Sequence, residues 1–192
     1  MTILHLKLKD LDEEFIRELQ AEHHDEDAEV VIHVHSRPVG EILSEEAFWQ
    51  IIGLLDWDQE GDDEAVVEPV VAHLAELPVA LIYQFLDKLS EKLYLIDTRA
   101  HAENSGDNAY RPDARFSVDL FLYDRCCVVA NGRQFFEDVI ADPTLMPKDM
   151  SFEPLLYVAS DAYQRKTGKP MEDYLPAYNY ETFSNVEGWE EA

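Results

Sequence analysis

The sequence predicts a mainly α-helical protein: a small N-terminal β-α-β unit followed by a multi-helix, bundle-like domain. Three observations predict it. Apolar and polar residues alternate with period two in two short stretches before residue 37. From Ser44 to Gly168 apolar residues recur at the three- and four-residue spacing of a helix face. Between the two patterns, "RPVGE" (Arg37 to Glu41) brings Pro and Gly together, as a linker does. The expected organisation is 1–37 for the first unit, 38–43 for the linker and 44–192 for the helical domain with a packed C-terminal tail.

The first unit opens with "TILHLKL" (Thr2 to Leu8), where Thr2, Leu4, Leu6 and Leu8 share one face and Ile3, His5 and Lys7 the other. "DLDEEFIRELQAEHH" follows, with Asp10 or Asp12 as N-cap and an apolar stripe of Leu11, Phe15, Ile16 and Leu19. "AEVVIHVHS" alternates again, Val30, Ile32 and Val34 against Val31, His33 and His35. Two strands alone are marginal in water, so association into a homodimer through the N-terminal strands is expected.

The helical domain begins at Ser44, an N-cap with Glu45 and Glu46 in its first turn and Phe48, Ile51, Ile52 and Leu55 as apolar stripe. "EAVVEPVVAHLAEL" is helical by spacing, with Pro69 expected to kink it or mark its start. "PVALIYQFLDKLSEKLYLID" is the clearest helix: Pro78 opens it, and Ile82, Phe85, Leu86, Leu89, Leu93 and Ile96 run along one side. "TRAHAENSGDNAYRPDAR" reads as a loop. "FSVDLFLYDRCCVVANG" is apolar nearly all round, the mark of a central helix, ended by Asn131 and Gly132. "RQFFEDVIAD" is a short helix. In "SFEPLLYVASDAYQRKTGKP", Ser151 is the expected cap, Pro154 sits in the first turn, and Gly168 and Pro170 stop the helix. The tail, from Met171, carries aromatics among acids and is expected to pack them onto the helices.

Charge is the dominant bulk property. The chain has 41 Asp and Glu against 15 Lys and Arg, a formal net of -26. Direct binding to nucleic acid is disfavoured, because a phosphate backbone demands Lys and Arg. The complementary partner is a protein with a basic surface. The acids are unevenly spread: from Pro38 to Asp87 there are twelve and not one Lys or Arg. Asp58, Glu60, Asp62, Asp63 and Glu64 form the densest run and are the candidate interaction surface. No apolar stretch approaches a membrane span, and the N-terminus lacks a basic start and an apolar signal core, so a cytoplasmic protein is expected.

Few residues suggest chemistry. His5, His33 and His35 would share one sheet face, where a pH-sensitive patch is a better reading than a metal site, since no closed ligand spacing accompanies them. Cys126 and Cys127 lie in an apolar helix and read as packing; neither a disulfide nor a catalytic role is expected. No phosphate-cradling glycine loop, dinucleotide fingerprint, serine elbow or zinc-protease motif is present, and no cofactor is expected. Arg125 in the central helix needs a carboxylate, for which Asp119, Asp87 and Asp97 are candidates. Asp119, Arg125, Tyr123 and Tyr157 could together line a ligand pocket, although an internal tie is the preferred reading of the arginine.

The helical part also resembles a known family. "EEAFWQII", then "FSVDLFLYDRCCVVANGRQFFEDVIADPTLMP" and "FEPLLYVASDAYQRKTG" are similar to the bacterial domain of unknown function 4240. The residues that carry the likeness are Asp119, Phe121, Arg125, Gly132, Phe135, Phe136, Asp142 and Pro143, followed by Tyr157, Ala159, Ala162 and Tyr163. Members often have a more basic, tryptophan-richer central helix, where this chain has "CCVV". The resemblance spans residues from about 46 to 168 and implies an all-helical domain without an established activity.

Two functions follow as expectations. The preferred one is a non-enzymatic acidic interaction protein of a bacterial cytoplasm, an inhibitor or immunity-type protein that captures a basic protein. The alternative is a small-ligand-binding protein or enzyme with a pocket between helices around Arg125 and Asp119.

Overall fold

The chain divides into two compact units, Met1–Val39 and Gly40–Ala192. The structure, a computed structural model, describes Arg17, residues 42–172 and residues 174–190. Among the described residues every regular element is helical, and there is no strand. This corrects the expectation of an N-terminal β-α-β unit. Alternation over seven to nine residues is a local signal, and a pair of short strands is marginal without further partners. The residues on which that reading, the homodimer edge and the His5, His33 and His35 face fall lie outside the described ones, except Arg17, which is helical.

In the second unit α1 is Glu45–Ile52, capped by Ser44 Oγ, which accepts from Ala47 N at 3.0 Å. It ends about one turn earlier than the apolar run suggests, and a turn follows with a short 3-10 segment at Trp57–Gln59. α2, Asp63–Glu76, holds Pro69 in its interior. A proline there cannot donate to the preceding turn and its ring opens the ladder. Val66 O, three residues before it, accepts the Asp56 N–H at 3.0 Å and ties the acidic turn to the helix.

Pro78 caps α3, Val79–Leu95, whose Leu81, Ile82, Phe85, Leu86, Leu89 and Leu93 are buried. The segment read as a loop contains a four-residue helix, α4, Arg99–Ala102. Its cap is Thr98, and His101 anchors it inward by approaching Val139 O at 3.2 Å. α5, Val118–Ala130, is the central helix: nine of its residues, from Phe121 to Ala130, are buried. Gly132, at φ 88°, makes the left-handed turn into α6, Arg133–Ala141. α7, Val158–Thr167, begins later than expected. Pro154 starts a 3-10 turn at Glu153–Leu156 instead, and Ser151 is exposed and does not cap. Gly168 closes α7 in the left-handed conformation, as its position after Arg165 and Lys166 requires.

α7 packs along α2 and against α3, while α5 lies between α3 and α6. The tail crosses this body through irregular bends and turns and finishes in a short helix, α8, Val186–Trp189. Tyr174 stacks on Tyr83 with ring centroids 4.2 Å apart, and Trp189 meets Tyr110 edge-on at 5.3 Å. Ala177 N donates to Asp87 Oδ1 at 2.8 Å. The aromatics of the tail are thus intramolecular anchors. No helix of the described residues is long and apolar enough to cross a membrane.

Candidate functional site

The acidic run lies on the surface between α1 and α2. Asp58, Glu60, Asp62, Asp63 and Glu64 are all exposed. Two carboxylates hold the turn together: Asp56 Oδ1 accepts from Asp58 N at 3.3 Å, and Asp62 Oδ1 accepts from Ala65 N at 3.1 Å as the cap of α2. Three other acids of this half of the chain are paired with a base. Glu45 meets Lys88 at 3.1 Å and Lys92 at 2.8 Å, Glu46 meets Arg133 at 3.5 Å, and Glu68 meets Arg165 at 2.7 Å. Burial would raise Glu45, but the bonds from Lys92, Lys88 and Trp49 outweigh it and hold its carboxyl below the ordinary range. Among the described residues, none of the five run acids has an ion-pair partner. The turn is the densest group of exposed, unpaired acids in the stretch of sequence without Lys or Arg.

At the centre of that turn is a residue the sequence reading passed over. Trp57 remains 44% exposed although its ring meets Phe152 at 5.0 Å. Leu54, one turn away, is also exposed. A tryptophan with one face on the body and the other in water, ringed by carboxylates, resembles an interface anchor. The signal in the sequence was the spacing "LLDWDQEGDDE", in which the aromatic breaks the helical stripe rather than continuing it.

Arg125 is fully buried. Its Nη1 donates to Leu93 O at 2.8 Å and its Nη2 to Thr182 Oγ1 at 3.0 Å, while Asp97 Oδ1 stands 4.0 Å from Nη1. Of the three candidate carboxylates it is Asp97 that faces it. The guanidinium lies 4.9 Å from the Phe121 ring, and its Nε has no partner. Burial pulls the group below its usual range and Asp97 pulls it back. Asp97 in turn accepts from Phe183 N, Asn185 N and Trp189 Nε1 at 3.2, 3.1 and 2.9 Å. The tail thus closes over the pair.

The other three residues of the expected pocket lie elsewhere. Asp119 is exposed, Tyr123 half-buried and Tyr157 half-exposed. Tyr157 donates to Glu153 Oε1 at 2.6 Å, and that bond pushes its phenol up to about 12. At about 100° per residue, Asp119 and Tyr123 share a face of α5, whereas Arg125 leaves the helix some 200° from Tyr123. The four do not converge. Cys126 and Cys127 are buried; burial raises both thiols, Cys127 to about 11, which holds them protonated. Among the described residues no group of three or more His, Cys, Asp or Glu side chains is placed to hold a metal ion.

The family model described as "Protein of unknown function (DUF4240)" matches residues 43–165, more than half of the chain. Neither the curated proteins nor the solved structures contain a match. The match covers α1 through most of α7, including the acidic turn and the whole of α5. The chain belongs to this family.

Proposed function

We propose that this member of the DUF4240 family is a non-enzymatic interaction protein whose acidic turn docks a basic protein partner, as an inhibitor or immunity-type protein of a bacterial cytoplasm would. The observation that carries the reading is the set of unneutralised carboxylates at Asp58, Glu60, Asp63 and Glu64 around the exposed ring of Trp57. Carboxylates without internal counter-ions keep their field in solution and steer a cationic partner, raising its on-rate more than its final affinity. The tryptophan supplies the apolar contact that steering lacks.

The reading that places a ligand between Arg125 and Asp119 has less support. Arg125 is sealed beneath the tail, and its Nη1 and Nη2 each donate to a protein acceptor.

The test is affinity capture of cytoplasmic proteins at about 0.05 M and about 0.5 M salt. Wild type is expected to retain basic proteins at low salt and release them at high salt. Asp58→Lys, Glu60→Lys, Asp63→Lys and Glu64→Lys together, sparing the cap Asp62, should abolish retention, and Trp57→Ala should weaken it. Unchanged capture by the charge-reversed protein at low salt overturns the reading.

A further inference from the structure

We propose that a cleft over α5 binds a primary ammonium group on a short alkyl chain, with Asp124 as its counter-ion. The cleft is independent of the acidic turn. Its floor is Asp124, its walls are the segments around Ser105 and Asp149, and its volume is about 230 Å³. A water molecule's share of the bulk liquid is only about 30 Å³.

Three features define the guest. The first is sign. Asp107, Asp124 and Asp149 line the cleft, and no lysine or arginine does. Lys148 adjoins Asp149 in the chain but donates to Asn104 O instead. The second is unused hydrogen-bonding capacity. Ser105 is only 1% exposed and lines the cleft, and its hydroxyl stands near enough to Asp124 to draw on its carboxyl without closing a hydrogen bond to it or to any other described group. A buried hydroxyl left in this way costs free energy until something occupies it. Asp124 is 4% exposed and forms no ion pair among the described residues. The third is shape. Leu120 and Met150 stand at the mouth and are exposed, so the outer part of a guest meets hydrocarbon.

An ammonium fits this set better than a metal ion. It carries three donors that can be divided among Asp124, Ser105 and Asp149, whereas the carboxylates do not gather into a coordination shell. The walls are pre-formed. Asp107 N donates to Asp149 Oδ1 at 2.9 Å, and Gly106, at φ 53°, approaches Asp149 so closely that a Cβ there would lie 2.5 Å from its carboxylate oxygen. Asn108 clamps the same segment to Ser117 through two hydrogen bonds of 3.0 and 2.9 Å.

Binding is coupled to protons. Burial and the charge of Asp149 push the Asp124 carboxyl up to about 7, against the pull of Ser105 and Arg125. The titratable and charged groups around it are Asp107 and Asp149 from the walls, Lys148 beside Asp149 in the chain but turned to Asn104 O, and Arg125, Cys126 and Cys127 on its own helix. A cation pairs only with the carboxylate, so affinity rises with pH across 6 to 8.

The test is calorimetric titration of the full chain with n-butylammonium chloride. Saturable binding is expected at pH 8 and weaker binding at pH 6, with none for 1-butanol. Asp124→Asn should lower affinity at least tenfold and Ser105→Ala severalfold, each with a thermal melt to show that the fold persists. Nα-acetyl-lysine amide separates the two sources of an alkylammonium: if it binds more tightly than butylammonium, the site takes a lysine side chain of a partner; if it binds less tightly, the site takes a free amine. The protein with Asp58, Glu60, Asp63 and Glu64 reversed should bind butylammonium as wild type does. Equal binding of butylammonium by Asp124→Asn, no saturable binding by wild type, or loss of binding in the charge-reversed protein each overturns the proposal.

Discussion

Asp124 and Arg125 are neighbours on one helix, both buried, and treated in opposite ways. On the Arg125 side of α5 the tail lies across the charge and supplies Thr182 directly and Asp97 through Phe183, Asn185 and Trp189. On the Asp124 side the carboxylate lies buried at a cleft without an ion-pair partner among the described residues, and the Ser105 hydroxyl beside it closes no hydrogen bond. Removing a charge from water costs several kcal/mol unless partners replace the water. One side of the helix meets that cost within the fold. The other leaves it open to a guest. Burial alone therefore does not separate structural charges from binding ones; what surrounds them does.

The largest expected effect breaks the closed side. Asp97→Ala leaves Arg125 without its carboxylate and frees three donors at once, so a loss of about 3–5 kcal/mol is expected in urea unfolding. Arg125→Met should cost less, because a buried cation is then exchanged for a side chain that fills the space. In a double-mutant cycle the combined variant should be clearly more stable than the sum of the two losses. Additive losses would mean that the pair is not coupled, and Arg125 would then rest on Leu93 O and Thr182 alone.

The next effect concerns the seal. Thr182→Val removes the hydroxyl that accepts from Arg125 Nη2 and donates to Val118 O at 2.8 Å. A loss of about 1–3 kcal/mol is expected, together with faster exchange of the Asn185 amide as the tail loosens. An effect confined to stability, with unaltered exchange in the tail, would place the hydroxyl outside the seal.

How far the sequence exposed this contrast differs between the two sides. The central helix was legible because α5 is apolar on every side, and that pattern needs no knowledge of neighbours. Asp97 was among the candidates for Arg125, but choosing it required the chain reversal after α3, a long-range fact. Ser44, Pro78 and Gly168 were readable because caps and stops act on adjacent backbone. α4 was not: four residues make a helix only because Thr98 caps them and His101 reaches Val139. Trp57 and the Asp124 cleft were missed for the same reason. The cleft is assembled from residues near 105, 124 and 149, none of which is unusual beside its own neighbours in sequence.

The open side offers an effect of opposite sign. Asp124 has an unfolded value of 3.8 and is pushed up to about 7 in the fold. Below pH 4 both states carry the proton and the residue is neutral toward stability. Between 4 and 7 the folded state holds more protons than the unfolded state, so wild-type stability falls as pH rises, and the penalty is complete above 7. Asp124→Asn should therefore match wild type near pH 4 and be more stable at pH 8. The full shift at about 1.4 kcal/mol per unit would be larger, but partial solvent access makes a gain on the order of 2 kcal/mol the expectation. Stability and butylammonium binding should move in opposite directions in this variant, as residues kept for binding rather than folding do. A destabilised Asp124→Asn protein at pH 8 would place the carboxylate with Arg125 as part of the scaffold.

The smallest effect belongs to the acidic turn. Asp58, Glu60, Asp63 and Glu64 are exposed and without ion-pair partners among the described residues. Replacing them by lysine removes mutual repulsion and adds no buried group, so stability should change by less than about 0.5 kcal/mol per site. Asp62 is the internal control. Its carboxylate accepts from Ala65 N, so Asp62→Ala should cost about 1 kcal/mol while leaving the remaining field in place. If partner capture follows the four free carboxylates and ignores Asp62→Ala, the turn acts by charge. If capture follows Asp62→Ala instead, what the partner reads is the shape of the turn that presents Trp57, and the steering role passes to the aromatic ring.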